Sequence, residues 1–281
     1  MKILIAGDFC PMDRVAKLID KEDYKSVFGE VIEFTKQTDY SIVNLEAPIV
    51  ETEAKPIEKC GPNLKCTSNA VKALKYAGFN MATLANNHFY DYGDDGVKQT
   101  LDACHKEGMD VVGGGMSISE ASQTFYKEIK GVRVAIINCC EHEFSIATDT
   151  SGGSNPLNPI QQYYAIQNAK QKADKVIVIV HGGHEHYQLP SPRMKETYRF
   201  FVDAGADTVI NHHQHCYSGY EIYKLADNSS IVAEILLALS LESAISDVME
   251  PANSFKLLEL SRIFNMIPCN CSTKLLTPPT S

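Results

Sequence analysis

The chain has 281 residues, of which 44% are hydrophobic and 22% charged, with a formal net charge of -9 at pH 7. That length and balance fit a globular protein with a sizeable core, arranged as one large domain or two small ones. The negative charge and the lack of a long basic run disfavour a nucleic-acid partner, and the N-terminal "MKILIAGDFCPMD" and residues 231–241 are too short or too interrupted for a signal peptide or a membrane span, so a cytoplasmic protein is expected.

The first β-rich run, residues 2–6, leads to Asp8, and the second, 40–44, runs into "NLE" at Asn44 to Glu46. A helix is expected after Ser68, where Val71 and Leu74 share a face and Gly78 stops it. Run 81–85 leads into "NNHFYDYG" from Asn86, and a second helix carries Val97, Leu101 and Cys104 before Gly108. Run 132–138 precedes a helix at 161–174. Run 176–180 enters "HGGHEH", and a helix at 194–204 follows Pro190 and Pro192 and ends at Gly205. Run 208–210 then enters "NHHQHC". This alternation is that of an α/β domain. Residues 48–62 and 145–159, rich in Pro, Gly, Asn or Ser, are expected to be long loops, able to flank a site or simply connect elements. Nine cysteines without a CxxC pair argue against a zinc ribbon or a disulfide framework and for reduced, partly buried thiols.

Three histidines in four positions, 212 to 215, raise the question of a metal. Neutral imidazole is a common transition-metal ligand, and residues two apart on an extended segment point the same way, so His213 and His215 are expected to grip one centre. Five strand ends carry Asp, Glu, Asn or His, and ligands in open α/β sheets bind at such ends. Singly, each residue has a plain structural reading. Asp8 could cap a helix, Glu46 could be a solvated loop charge, Asn86 and Asn87 suit a turn, and His88 could lie on the surface. His181, after the five β-branched residues 176–180, is harder to dismiss, and Gly182 and Gly183 leave room for close approach. One shared site accounts for all five ends at once. A mixed carboxylate, amide and imidazole set suits manganese, iron or zinc, and two ions if one carboxylate bridges them, a geometry that clamps phosphoryl oxygens.

The stretches "AGDF", "VNLEAPI", "ANNHFYDYGDDG", "HGGHEHYQLP" and "AGADTVINHHQHCYSGYE" occur in order over about residues 1–223. In them the chain resembles the bacterial capsule-synthesis proteins of the CapA type, associated with poly-gamma-glutamate synthesis, within the wider calcineurin-like metallophosphoesterase superfamily. The resemblance implies a four-layer α-β-β-α sandwich with mixed sheets. It also implies one or two divalent ions of manganese, iron or zinc, with Asp8 on one ion, Glu46 nearest the bridging role, Asn87 and His181 on the second ion, and His213 and His215 one towards each. His88 would be the general acid, with Asp91 holding its ring in the productive tautomer. Asn44, Asn86 and Glu185 would line the pocket and bind substrate. The implied function is a metal-dependent hydrolase of capsule, poly-gamma-glutamate or other envelope-polymer metabolism, with metal-bound hydroxide attacking a phosphoester or gamma-glutamyl bond. The alternative is a non-catalytic component that keeps the pocket to bind an anionic envelope polymer. Two departures stand out: Cys10 occupies the position where typical metallophosphoesterases place a histidine, as CapA-type proteins commonly do without one, and Asn211 replaces the usual glycine. The resemblance ends near Lys224. Residues 1–224 are therefore expected to form the domain and 225–281 a divergent tail, produced by a frameshift or alternative end; if the last strand is missing, its neighbour becomes an exposed edge.

Overall fold

The computed structural model describes residues 1–216, 218, 219 and 221–223, and the backbone of residues 233–237. In chain order the first half contains β1 (Ile3–Phe9), α1 (Asp13–Asp20), α2 (Tyr24–Phe28), α3 (Val31–Thr35), β2 (Tyr40–Leu45), α4 (Asn69–Tyr76), β3 (Met81–Thr83), α5 (Gly93–Lys106) and β4 (Asp110–Val112). Its four strands form a parallel sheet in the order β1-β2-β3-β4. The second half contains β5 (Gly114–Gly115), α6 (Ile118–Ala121), β6 (Phe125–Ile129), β7 (Val132–Cys140), β8 (Gly153–Ser154), α7 (Pro159–Lys170), β9 (Lys175–His181), α8 (Pro192–Asp203), β10 (Thr208–His212), β11 (Ile222–Tyr223) and β12 (Ala233–Leu237). Six of these strands make a mixed sheet in the order β11-β12-β10-β9-β7-β6, antiparallel only at its two outer pairs.

Side-chain alternation along the strands builds the layers. Tyr40, Ile42 and Met81 of the first sheet meet Val134, Ile136, Ile177 and Ile179 of the second in a core between the sheets. The neighbours of these residues face outward. Val43, Leu45 and Ala82 pack under Val71 and Leu74 of α4 and Val97 and Cys104 of α5. Ala135, Ile137, Val176, Val178 and Val209 pack under Ile166 of α7 and Tyr198, Phe201 and Val202 of α8. The result is the expected α-β-β-α sandwich, with each fully buried aliphatic side chain contributing about 1.5–3 kcal/mol. β9 lies between two strands and is apolar on both faces, which is why it reads as an unbroken β-branched run.

Helix ends follow local chemistry. Asn158 accepts from the backbone N–H of Ile160 and Gln161 ahead of Pro159, and Ser191 accepts from that of Met194 ahead of Pro192. Gly78, with φ of 89°, ends the turn after α4, and a Cβ there would meet Thr35 Oγ1 at 2.9 Å.

Several expectations need correction. Asp8 caps no helix; it lies within β1, and α1 begins at Asp13. His213 and His215 are not on an extended segment, because β10 ends at His212 and both residues have left-handed φ, 95° and 50°. The expected loop 145–159 contains β8, which pairs with β5. The boundary near residue 224 lies outside the described residues, but the backbone of β12 pairs with β10 from Thr208 opposite Glu234 to Asn211 opposite Leu237. β10 is therefore not the exposed edge that a missing last strand would have left. Among the described residues no helix is long and apolar enough to cross a membrane.

Candidate metal centre

The site begins at a bulge. β1 pairs with β2 as Ile5 opposite Ile42 and then as Asp8 opposite Asn44, so one extra residue is accommodated in β1 between them. Such a bulge re-aims the side chains beyond it, and Asn44 Nδ2 donates to Asp8 Oδ1 at 2.7 Å. Asn44 Oδ1 in turn accepts from Asn86 Nδ2 at 3.2 Å and Thr83 Oγ1 at 3.3 Å. Asn86 Nδ2 also donates to the Leu45 carbonyl, while its Oδ1 accepts from the His88 backbone N–H. Asn44 and Asn86 were expected to line the pocket. Both are fully buried, and their amides tie together the ends of β1, β2 and β3 while orienting Asp8 and His88.

His181 closes β9 with its imidazole 2% exposed. Its Nε2 lies 3.1 Å from Asn87 Oδ1, 3.4 Å from Glu46 Oε1 and 3.1 Å from His213 Nδ1. A ring nitrogen directs one proton or one lone pair along one line, so it cannot hydrogen-bond well to all three. Donors held about 2.1 Å from a common ion lie roughly 3–3.5 Å apart, which is the spacing found here. Glu46 faces a second group as well, with His215 Nε2 at 3.8 Å from Glu46 Oε1. The ligand atoms of Glu46, His181 and His213 lie within 4.8 Å of one another, as do those of Asp8, Glu46 and His215 and those of Glu185, His213 and His215. Glu46, far from being a solvated loop charge, is buried and common to the first two groups. Glu185 is exposed on the loop after β9 and, unlike Asn44 and Asn86, reaches the site from the solvent side.

The left-handed residues bring the histidines together. His213 donates its backbone N–H to Asp8 Oδ2 at 2.9 Å. Asn211 Nδ2 donates to the carbonyls of Gly182 and His212, its Oδ1 accepts from the Tyr198 hydroxyl, and Gln214 Nε2 donates to Gly182 O at 2.7 Å. These bonds hold a turn whose non-glycine residues at positive φ cost about 1–3 kcal/mol each. Asn211 thus has a bracing task that the glycine usual at this position could not perform.

Electrostatics favours a cation. Burial lowers the pKa of His181 and of His213, with Asp8 opposing it in part, and both rings are neutral at neutral pH, the state that ligates metals. Burial also works against the Asp8 carboxylate, yet the facing His181, His212 and His215 hold its pKa well below the usual carboxylate range. Glu143 adds another carboxylate, 3.9 Å from His213 Nε2. Cys10, at the position where typical metallophosphoesterases place a histidine, is buried just after β1.

Beside this cluster His88 Nδ1 lies 2.7 Å from Asp91 Oδ2, with Asp91 fully buried and also accepting from the Leu64 N–H. Sequence reasoning missed the third member. Lys59 brings a buried ammonium onto Asp91 and to 3.2 Å from His88 Nδ1. It stands in the loop expected at 48–62, and nothing but that loop's composition pointed to it.

The family profile described as "Bacterial capsule synthesis protein PGA_cap" matches residues 2–233. The chain belongs to this family. The match runs beyond Lys224, near which the resemblance was expected to end. The chain is 33% identical over 232 residues to the capsule biosynthesis protein CapA of Bacillus anthracis, covering 80% of this chain and 56% of that protein. It is 32% identical over 221 residues to the PGA biosynthesis protein CapA of Bacillus subtilis (strain 168), covering 77% and 58%. It therefore spans a little over half the length of these relatives. Among solved structures, a hypothetical protein from Thermus thermophilus aligns with 85% of this chain and 76% of its own, at a TM-score of 0.51 and 15% identity. That likeness speaks to the fold alone.

Proposed function

We propose that the chain is a metal-dependent hydrolase of capsule or poly-gamma-glutamate metabolism, acting on a phosphoester or gamma-glutamyl bond of an anionic envelope polymer or its precursors. The observation that carries this reading is the gathering of Glu46, Asn87 and His213 around His181 Nε2, with Glu46 shared by the group containing Asp8 and His215. Glu46, Asn87, His181 and His213 would hold one divalent ion, and Asp8, Glu46 and His215 a second. Manganese, iron or zinc bound there supplies Lewis acidity towards a substrate oxygen and an activated water near neutral pH. The relatives' names, capsule and PGA biosynthesis proteins, are what direct the proposal to a polymer.

The chain's own residues would handle the proton. Asp91 accepts from His88 Nδ1 and so directs Nε2 outward, where a protonated ring delivers its proton to the leaving group. Lys59 pins the other Asp91 oxygen. Asp8, Glu46, Glu143 and Glu185 together repel an anion, so polymer binding should depend on cation loading.

Metal analysis of freshly purified protein, beside a hydrolysis screen of phosphoesters and gamma-glutamyl peptides, tests the proposal. Bound manganese, iron or zinc and chelator-sensitive turnover are expected, with His88→Ala losing about 10²–10⁴-fold in kcat at unchanged metal content. Protein that takes up no metal after loading sinks it. Cys10 in the usual histidine position favours a second reading, a polymer-binding or assembly component. On that reading an anionic oligomer binds equally well with and without chelator.

A further inference from the structure

Glu185 is the one carboxylate of the three ligand groups that faces solvent. Its loop is stitched to the histidine turn. His186 donates its N–H to Gln214 O at 2.7 Å, Gln214 Nε2 donates to Gly182 O at 2.7 Å, and Gly182 donates its N–H to His212 O at 3.2 Å. His186 has a left-handed φ of 60°, and Gly183 donates its N–H to Glu141 Oε2 at 2.9 Å. The backbone is thus held on both sides of Glu185, so its exposed side chain starts from a fixed base. Its ligand atom lies within 4.8 Å of those of His213 and His215, and it belongs to neither of the groups that contain Glu46. A carboxylate in this place repels an anionic polymer, but together with two imidazoles it suits manganese, iron or zinc.

The two histidines are shared. His213 also belongs with Glu46 and His181, and His215 with Asp8 and Glu46. His213 Nδ1 lies 3.1 Å from His181 Nε2, and His215 Nε2 lies 3.8 Å from Glu46 Oε1. A neutral imidazole has a single lone pair, so neither ring can serve an outer and an inner ion together. The outer trio is therefore complete only before the inner positions fill, and filling them leaves Glu185 alone. Burial rises along the same path: Glu185 is exposed, His215 is half-buried, and Asp8, Glu46 and His181 are buried. Taking a charge from water to a buried site in one step is costly, and a half-way set of donors divides that cost.

We infer that Glu185, His213 and His215 form an outer landing position for the divalent cation, and that Glu46, Asp8 and His181 replace Glu185 as the two histidines pass the ion inward. The inference rests on the metal reading of this site and adds a loading route to it.

The test is kinetic. Metal-free wild-type protein and Glu185→Gln are mixed with cobalt(II) and followed by stopped-flow visible absorption, and release is followed after addition of excess chelator. Because the trio is given up in the loaded protein, losing Glu185 should slow uptake and release alike, by about 10-fold each, the lower end of what charges at a site entrance contribute to association. The ion count and the equilibrium Kd should not change. Glu185→Asp keeps the charge and shortens the reach by one methylene, and it should load as slowly as Glu185→Gln. Loading of Glu185→Asp at the wild-type rate would reduce Glu185 to a distant charge and overturn the inference. A lower ion count or a weaker Kd in Glu185→Gln would make Glu185 a resident ligand, which also overturns it, as would unchanged uptake and release. Each of these results leaves the hydrolase proposal standing. A wild type that takes up no cobalt, manganese or zinc overturns that proposal, and the landing position with it.

Discussion

The two sides of the Glu46 carboxylate are built to different standards. On one side His181, Asn87 and His213 are all buried, and Asn87, Glu46 and His213 lie within 3.4 Å of His181 Nε2 at the end of β9. On the other, Asp8 is buried and doubly hydrogen-bonded, but His215 sits on a left-handed turn with its side chain 21% exposed, 3.8 Å from Glu46. Donors fixed before binding lose little entropy when an ion arrives, so the His181 side should hold its ion more tightly and exchange it more slowly. One carboxylate between a tight and a loose position suits a centre in which one ion is resident and the other depends on supply.

The sharpest way to break this contrast is His181→Ala, which removes the nitrogen around which the tight group collects. Metal content should drop to one weakly held equivalent or none, and turnover should fall by about 10⁴-fold, the scale of losing a group central to transition-state charge. If the variant keeps its full complement of ions, the two sides are equivalent and the contrast fails. A smaller effect is expected from Lys59→Met. Both partners of the Lys59 and Asp91 pair are buried, and removing one charge strands the other at a cost of about 3–5 kcal/mol. Urea unfolding should register that loss, while metal analysis should show no change. A reduced ion count would mean that Lys59 supports the metal centre itself.

How much of this was legible beforehand depended on burial. β9 and β2 announce themselves because strands covered on both faces are continuous apolar runs, and the polar residues at their ends stand out against that background. Of the four helices that pack on the sheets, α4 and α5 were visible through their spacing and glycine stops and α8 through Pro192 and Gly205, while α7 was expected at 161–174 and runs from Pro159 to Lys170. Helices α1 to α3 were not visible, since each is short and mostly half-exposed, and β4 has only three residues. In the site, the residue types at strand ends were readable, but the jobs of Asn44 and Asn86 were not. An amide that braces a neighbouring carboxylate looks the same in sequence as one that faces substrate. The convergence of His213 and His215 was expected for the wrong reason, as strand alternation, whereas a left-handed turn braced by Asn211 and Gln214 produces it. Positive φ at histidine leaves no mark in the sequence, and neither does a lysine that reaches Asp91 from a loop 32 positions away.

The smallest expected effect concerns acid. Burial lowers the pKa of His181 and His213, and takes that of His212 from 6.5 to about 4. The unfolded chain therefore binds protons near pH 6.5 that the folded chain refuses until a lower pH. Stability from this source is fully present above pH 6.5, declines as pH falls through the window between 6.5 and about 4, and is gone below it. Between pH 7.5 and 5, His212 alone should cost the metal-free protein about 2 kcal/mol, and His181 and His213 act in the same direction. Chelator-treated protein unfolded in urea at the two pH values measures the loss, and His212→Leu should remove its share. Metal-loaded protein should show a steeper decline over the same range, because each ligating imidazole must stay deprotonated for the ion to remain. Identical slopes with and without metal would mean that the buried histidines and the ion do not compete for the same nitrogens, and the contrast between the two sides of Glu46 would lose its chemical basis.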